Sequence, residues 1–249
     1  MPRVHRERVL LVGGQRALVM QVAHPKVAAA VAQHSDFPAR AMERLRRTLD
    51  LTLASIFGDE DESRAASDAI RAVHDRVAGT AEGEPYEAND PMLLQWVNAT
   101  LIDTTLLVYR RFVRPLTPSE EREYYAESRE SAVLFGIPSE VVPESLDAFR
   151  SYVDSTLAGG ELRASDDGRR LVRAILRPPL PLRWRLPAEG VRLITLALLP
   201  EPVRAMFGLR AGPVARLTLT TSGLASRTAL PLMPPALREF GYVRGRRRA

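Results

Sequence analysis

Apolar residues recur along this chain at spacings of three and four, and almost nowhere in alternation. Met42, Leu45, Leu49, Leu53 and Ile56 fall on one stripe between Pro38 and Phe57, and Gly58 follows as a residue suited to end a helix. The pattern predicts a helix over 38–57 that brings Arg44, Thr48 and Ser55 near one another on a second face, with Arg47 beside them. Another helix is predicted from about Glu62 to Ala78 with Gly79 closing it; Ala66, Ile70, Val73, His74 and Val77 share its stripe, which turns His74 inward.

Asp90-Pro91 reads as an N-cap followed by proline in the first turn, opening a helix through Trp96 to about Phe112. That helix is apolar nearly all round, so it is expected at the centre of the molecule. Its Asn98, Thr100, Asp103 and Thr104 must then find partners or face a cavity. Thr117-Pro118-Ser119-Glu120 is a capping box for a helix ending at Gly136, and Pro143 to Leu157 forms one more before Gly159-Gly160. Beyond Arg163 the periodicity fades into an extended connector, Arg177 to Pro181, and short helical stretches near 189–199, 201–207 and 212–228. No segment alternates with period two, so strands are few or absent. The expected architecture is all-α: one domain over 1–249, with a motif-bearing core at about 9–160, a helical C-terminal flap at about 165–240 and a basic tail at 243–249.

The chain contains no cysteine, which excludes disulfides, iron–sulfur clusters, thiolate zinc sites and cysteine nucleophiles together. Each apolar run is broken by Arg, Asp or Pro before the roughly 18 residues of a membrane span. The opening stretch is too short in apolar residues for a secretory signal, and a cytoplasmic protein is expected. Of the net charge of +5, Arg244, Arg246, Arg247 and Arg248 supply all but one unit, so the body is nearly neutral and nucleic acid is not an expected partner.

Candidate chemistry rests on four histidines. His5 reads as a mobile end; His24 and His34 stand at helix ends, where each can bond backbone or bind a ligand. No His-Glu-x-x-His and no histidine pair at helical zinc spacing occurs, Gly13-Gly14 lacks the spacing of a dinucleotide loop, and there is no Gly-x-Ser-x-Gly elbow. A cofactor that one inward histidine can hold, such as haem, is permitted, and so is a plain hydrogen-bonded core histidine.

Taken in order, a set of short strings resembles the MpaB-type oxygenases, the family that includes the latex-clearing proteins or rubber oxygenases. They are Gly14-x-Arg16-Ala17-Leu18, Gln21-Val22-Ala23-His24-Pro25-x-Val27-Ala28, His34-Ser35-x-Phe37, Arg44-x-x-Arg47-Thr48 and Phe57-Gly58. The series continues with Val73-His74-x-x-Val77-x-Gly79, Tyr86-x-Ala88-x-Asp90-Pro91, Trp96-Val97-Asn98-Ala99-Thr100-Leu101, Tyr124-Tyr125-x-Glu127 and Leu134-Phe135-Gly136-Ile137-Pro138. The resemblance implies an all-helical fold and haem b held by His74 as axial ligand to iron. It further implies Arg44, Arg47 and Thr48 on the distal side, either arginine being able to pair with haem propionates, and oxidation of an apolar, alkene-containing, isoprenoid-like substrate by dioxygen. Two positions depart from the pattern. The latex-clearing branch has lysine in place of Arg47, and a guanidinium, unlike an amine, does not coordinate iron. Many relatives have histidine in place of Asn98. Two other readings are open: a non-catalytic helical carrier of an apolar ligand, and an arginine-rich nucleic-acid binder. Oligomeric state is not legible.

Overall fold

A computed structural model describes residues 1–35, 50–54 and 56–241. Most of the predicted helix over 38–57, and with it Arg44, Arg47 and Thr48, lies outside the described residues. After a single N-terminal helical turn, the long elements are α1 (Gly14–Gln21), α2 (Pro25–His34), α3 (Glu60–His74), a hairpin of β1 (Ala78–Ala81) and β2 (Glu84–Glu87), and α4 (Pro91–Phe112). They continue as α5 (Pro118–Leu134), α6 (Leu146–Ala158), α7 (Asp166–Leu176), α8 (Leu182–Leu198), α9 (Glu201–Met206) and α10 (Pro213–Ala229). The fold is all-α apart from the hairpin, with α4 at its centre.

The starts of these helices are written in side chains that satisfy the orphan amides of the first turn. Asp90 accepts from the N–H groups of Met92 and Leu93 at 2.8 and 3.4 Å. Thr117 and Glu120 cap reciprocally, at 3.2 Å into Thr117 Oγ1 and 2.8 Å into Glu120 Oε2. A second reciprocal box, Asp59 with Glu62, starts α3 at Glu60 rather than Glu62. In α6 the cap is Ser145, whose hydroxyl accepts from Ala148 N–H at 3.1 Å, so the helix begins three residues after the expected Pro143. The same device at Ser165, accepting from Gly168 N–H at 3.1 Å, opens α7, an amphipathic helix the sequence reading passed over.

The predicted second helix differs at its far end. It stops at His74, and Gly79 does not close it but lies in β1, paired with Tyr86. A Cβ there would come within 2.5 Å of Gln33 Oε1 and 2.8 Å of the Tyr86 hydroxyl, so any larger residue would displace the side chains that hold the hairpin to α2. The strands reverse at Glu82 and Gly83, both at positive φ, and the hairpin is held against α2 through Gln33 Nε2 on Thr80 O at 2.9 Å.

The two largest apolar clusters make up most of the interior. One joins Val19 and Met20 of α1, Trp96 of α4, Leu171 and Ile175 of α7 and Val203 of α9; the other joins Ile102 and Tyr109 of α4, Tyr125 of α5 and Phe149 of α6. Gly13, just before α1, lets the backbone approach α4 so closely that a Cβ would sit 2.6 Å from Thr104 Cγ2. The N-terminus is not a mobile end. His5 shares a 3.0 Å hydrogen bond with the Tyr124 hydroxyl and stacks on its ring, and buried Glu7 takes both arms of Arg238 at 2.6 and 2.7 Å. Burial pushes the His5 imidazole down to about 3 and the Tyr124 phenol up to about 12, so both are neutral.

Candidate functional site

Helix α4 has two characters. Its Trp96, Thr100 and Asp103 side is fastened to α1: Trp96 Nε1 donates to Met20 O at 3.2 Å and Gln21 Nε2 to Thr100 Oγ1 at 3.2 Å. Arg16, buried on α1, donates from Nη1 to Thr104 at 2.5 Å, from Nη2 to Asp103 at 2.6 Å and from Nε to Leu198 O at 2.9 Å. Three of the four polar residues expected to need partners on this helix therefore have them. The opposite side carries Leu94, Asn98, Leu101 and Thr105 at spacings of three and four, and it is half-open: Leu101 is 48% exposed. The expectation of a helix buried on all sides fails along this strip, which is apolar except for Asn98 and Thr105.

Asn98 is the fourth residue, and among the described residues its buried Nδ2 has no hydrogen-bond partner. The same holds for both amide atoms of Gln95, one turn before it and 1% exposed, for Ser67 Oγ on α3 and for Arg129 Nε on α5. Each such atom costs on the order of 1–3 kcal/mol unless something bonds it. The three helices belong to one region. Ala132 of α5 packs with Leu94 of α4, and the Arg71 guanidinium of α3 lies over Gly136 at the end of α5.

His74 is the last residue of α3, on the same helix face as Ser67 two turns earlier. The hairpin returns the chain so that Asn89 meets the helix end, where its Nδ2 donates to Asp75 Oδ1 at 2.6 Å and its side chain acts on the His74 ring. The ring is half-buried, and burial lowers its pKa, an effect that Asn89 and then Asp75 oppose. The lowered pKa favours the neutral imidazole, the form that can offer a lone pair.

The remaining histidines bond backbone or core. His24 caps α2, its Nδ1 accepting from Lys26 N–H at 3.2 Å, and burial with the nearby Lys26 and Arg163 charges pushes it down to about 4. His34 closes α2, its Nε2 bonded to Ala78 O at 2.9 Å and its ring edge-on to Tyr86. Among the described residues no group of three or more His, Cys, Asp or Glu side chains is placed to hold a metal ion. No helix of the described residues is long and apolar enough to cross a membrane. Sequence reasoning missed Gln95, Asn89 and the fastening role of Arg16; only the last lay in a quoted string.

The family model described as "ER-bound oxygenase mpaB/B'/Rubber oxygenase, catalytic domain" matches residues 2–239. No curated protein and no solved structure matches the chain.

Proposed function

The chain belongs to the mpaB and rubber oxygenase catalytic-domain family, and from that premise we propose that it is a haem b-dependent oxygenase, with His74 as the axial ligand, acting with dioxygen on a small apolar, alkene-containing metabolite. The observation that carries the haem assignment is the pairing of His74 with Asn89 and Asp75. A metal-binding imidazole nearly always donates its second N–H to a fixed acceptor, which sets the tautomer and the ring plane. Asn89, tied to Asp75 through its amide nitrogen, would supply that acceptor through its amide oxygen. Haem, if held by that imidazole, would supply an iron able to react with dioxygen.

The rest of the region suits a large, flat, mostly apolar group with a few polar edges. Leu94 and Leu101 offer apolar contact, and the unbonded atoms of Gln95, Asn98, Ser67 and Arg129 offer donors and acceptors for the cofactor's edge, the substrate or water. Arg44, Arg47 and Thr48 complete the proposal on the distal side, where cationic donors stabilise negative charge that builds during oxygen chemistry. Arginine at position 47 is always charged and so does not itself coordinate iron.

The decisive measurement is the absorption spectrum of protein expressed with haem supply. A Soret band at one haem per chain, shifted by carbon monoxide on reduction, is expected; a colourless protein would leave the oxygenase family assignment standing and sink the haem proposal in favour of an apolar-ligand carrier. Asn98 gives a finer prediction. An amide orients water or substrate but does not exchange protons near neutral pH, whereas a histidine there does. Asn98→His should fold normally, since the site is half-open, and should change turnover or the haem spectrum with a new ionisation between about pH 5 and 8. An unchanged spectrum and an unchanged pH profile would reduce Asn98 to a packing residue.

A further inference from the structure

The side-chain amides of this chain sort into two groups. Gln15 is bonded to Ile175 O and Thr195, Gln21 to Thr100, Gln33 to Thr80 O and the Tyr86 hydroxyl, and Asn89 to Asp75. Gln95 and Asn98 complete the set. Among the described residues neither amide atom of Gln95 has a hydrogen-bond partner, nor has Asn98 Nδ2, and all three atoms are buried. The two exceptions are neighbours: three positions apart on α4, they stand on successive turns with Cβ atoms roughly 5–6 Å apart.

Their setting selects what can bind. Asn98 lies on the half-open strip with Leu94 and Leu101, and Gln95, 1% exposed, lies beside it on the buried side of the helix. The atoms without partners are two amide donors and one amide acceptor. Helix α4 carries no ionisable side chain between Asp90, which caps it, and Asp103, whose carboxylate takes Arg16. A carboxylate or an ammonium brought to the pair meets no counter-charge on this helix, and a bare hydrocarbon leaves the amides unpaired. A hydroxyl matches both halves of the requirement, since its oxygen accepts from an amide N–H while its proton goes to Gln95 Oε1.

We propose that Gln95 and Asn98 form a subsite for a neutral hydroxyl group, so that the substrate is an apolar alkene alcohol with its chain along Leu94 and Leu101. The alkene chain, though not the hydroxyl, rests on the oxygenase reading above. The test uses three probes that share one isoprenoid skeleton and differ at one end: geraniol, the diene that lacks its hydroxyl, and geranate. Their binding to full-length protein expressed with haem supply is to be measured by equilibrium dialysis, with the Soret band read on the same sample. Geraniol should bind about ten-fold or more tightly than either the diene or geranate. Gln95→Met and Asn98→Leu should each bring geraniol toward the diene and leave the affinity for the diene unchanged. Without ligand, Gln95→Met should unfold at the same or a higher urea concentration, because it removes a buried amide that the fold does not pair. Failure of geraniol to bind, equal affinity for geraniol and either other probe, a preference that survives both substitutions, or a lowered urea midpoint for Gln95→Met overturns the subsite. A colourless protein that keeps the preference for geraniol defeats the haem assignment and leaves the subsite standing.

Discussion

Replacing Arg16 by alanine is expected to destabilise the protein by about 3–5 kcal/mol, the usual consequence of removing one partner from a buried ionic and hydrogen-bonded set. Arg16 is 3% exposed and spans α1, α4 and the end of α8, so its loss leaves Asp103, Thr104 and the Leu198 carbonyl without their donor. In a chain of this size that corresponds to a fall in melting temperature of roughly 10 °C. Arg16→Lys should recover only part, because an ammonium is a point charge and does not reproduce the three-way fork. Arg16→Met combined with Asp103→Leu should be more stable than Arg16→Ala alone, since no uncompensated carboxylate is left. Urea unfolding followed by circular dichroism measures all three. A change under about 1 kcal/mol for Arg16→Ala would mean that the three acceptors are satisfied by water at little cost.

The largest functional effect is expected at His74. His74→Ala should lose the Soret band altogether while unfolding within about 1 kcal/mol of the parent, because the residue is half-buried at a helix end and its removal leaves no buried cavity. Free imidazole should restore the band, as an exogenous ligand entering the space the side chain vacates. Asn89→Ala should have a graded effect: haem retained, with a changed spectrum and a weakened iron–histidine vibration in resonance Raman, since the ring loses the acceptor that fixes its tautomer. Full haem content in His74→Ala would move the ligand elsewhere in the chain, and an unchanged vibration in Asn89→Ala would show that the hydrogen bond has no bearing on the metal.

How much of this was legible beforehand depended on the range of the interactions. Helix α4 was readable from Asp90-Pro91 and its apolar run, and α5 from Thr117 and Glu120, because capping and periodicity are local. The hairpin was not, since each strand is four residues long and its place depends on Gln33 and His34, which belong to α2. That omission carried α3 four residues too far, into what is β1. At α7 the signal was present in Ser165 followed by Leu171, Val172, Ile175 and Leu176, and a reading attentive to serine caps would have found it.

The candidate site divides in the same way. His74 was singled out by its stripe and by family resemblance, and Asn98 by being polar on an apolar helix. Asn89 had no local signal: it meets Asp75 and His74 only because the hairpin folds fourteen positions of chain back on themselves. Gln95 did have one, as a polar residue on the same apolar helix as Asn98, yet nothing in a sequence distinguishes an amide that will be bonded from one that will not.

The buried pair of Glu7 and Arg238 joins positions separated by 231 residues, and Arg16 likewise waits on a carbonyl 182 residues away. During synthesis the first helical turn emerges long before either partner exists. A nascent chain therefore holds a Glu7 carboxylate without its Arg238 partner until position 238 has been made, and closure of this contact comes late in folding. Chains terminated ahead of Arg238 would leave Glu7 without that partner and the N-terminal turn less firmly held.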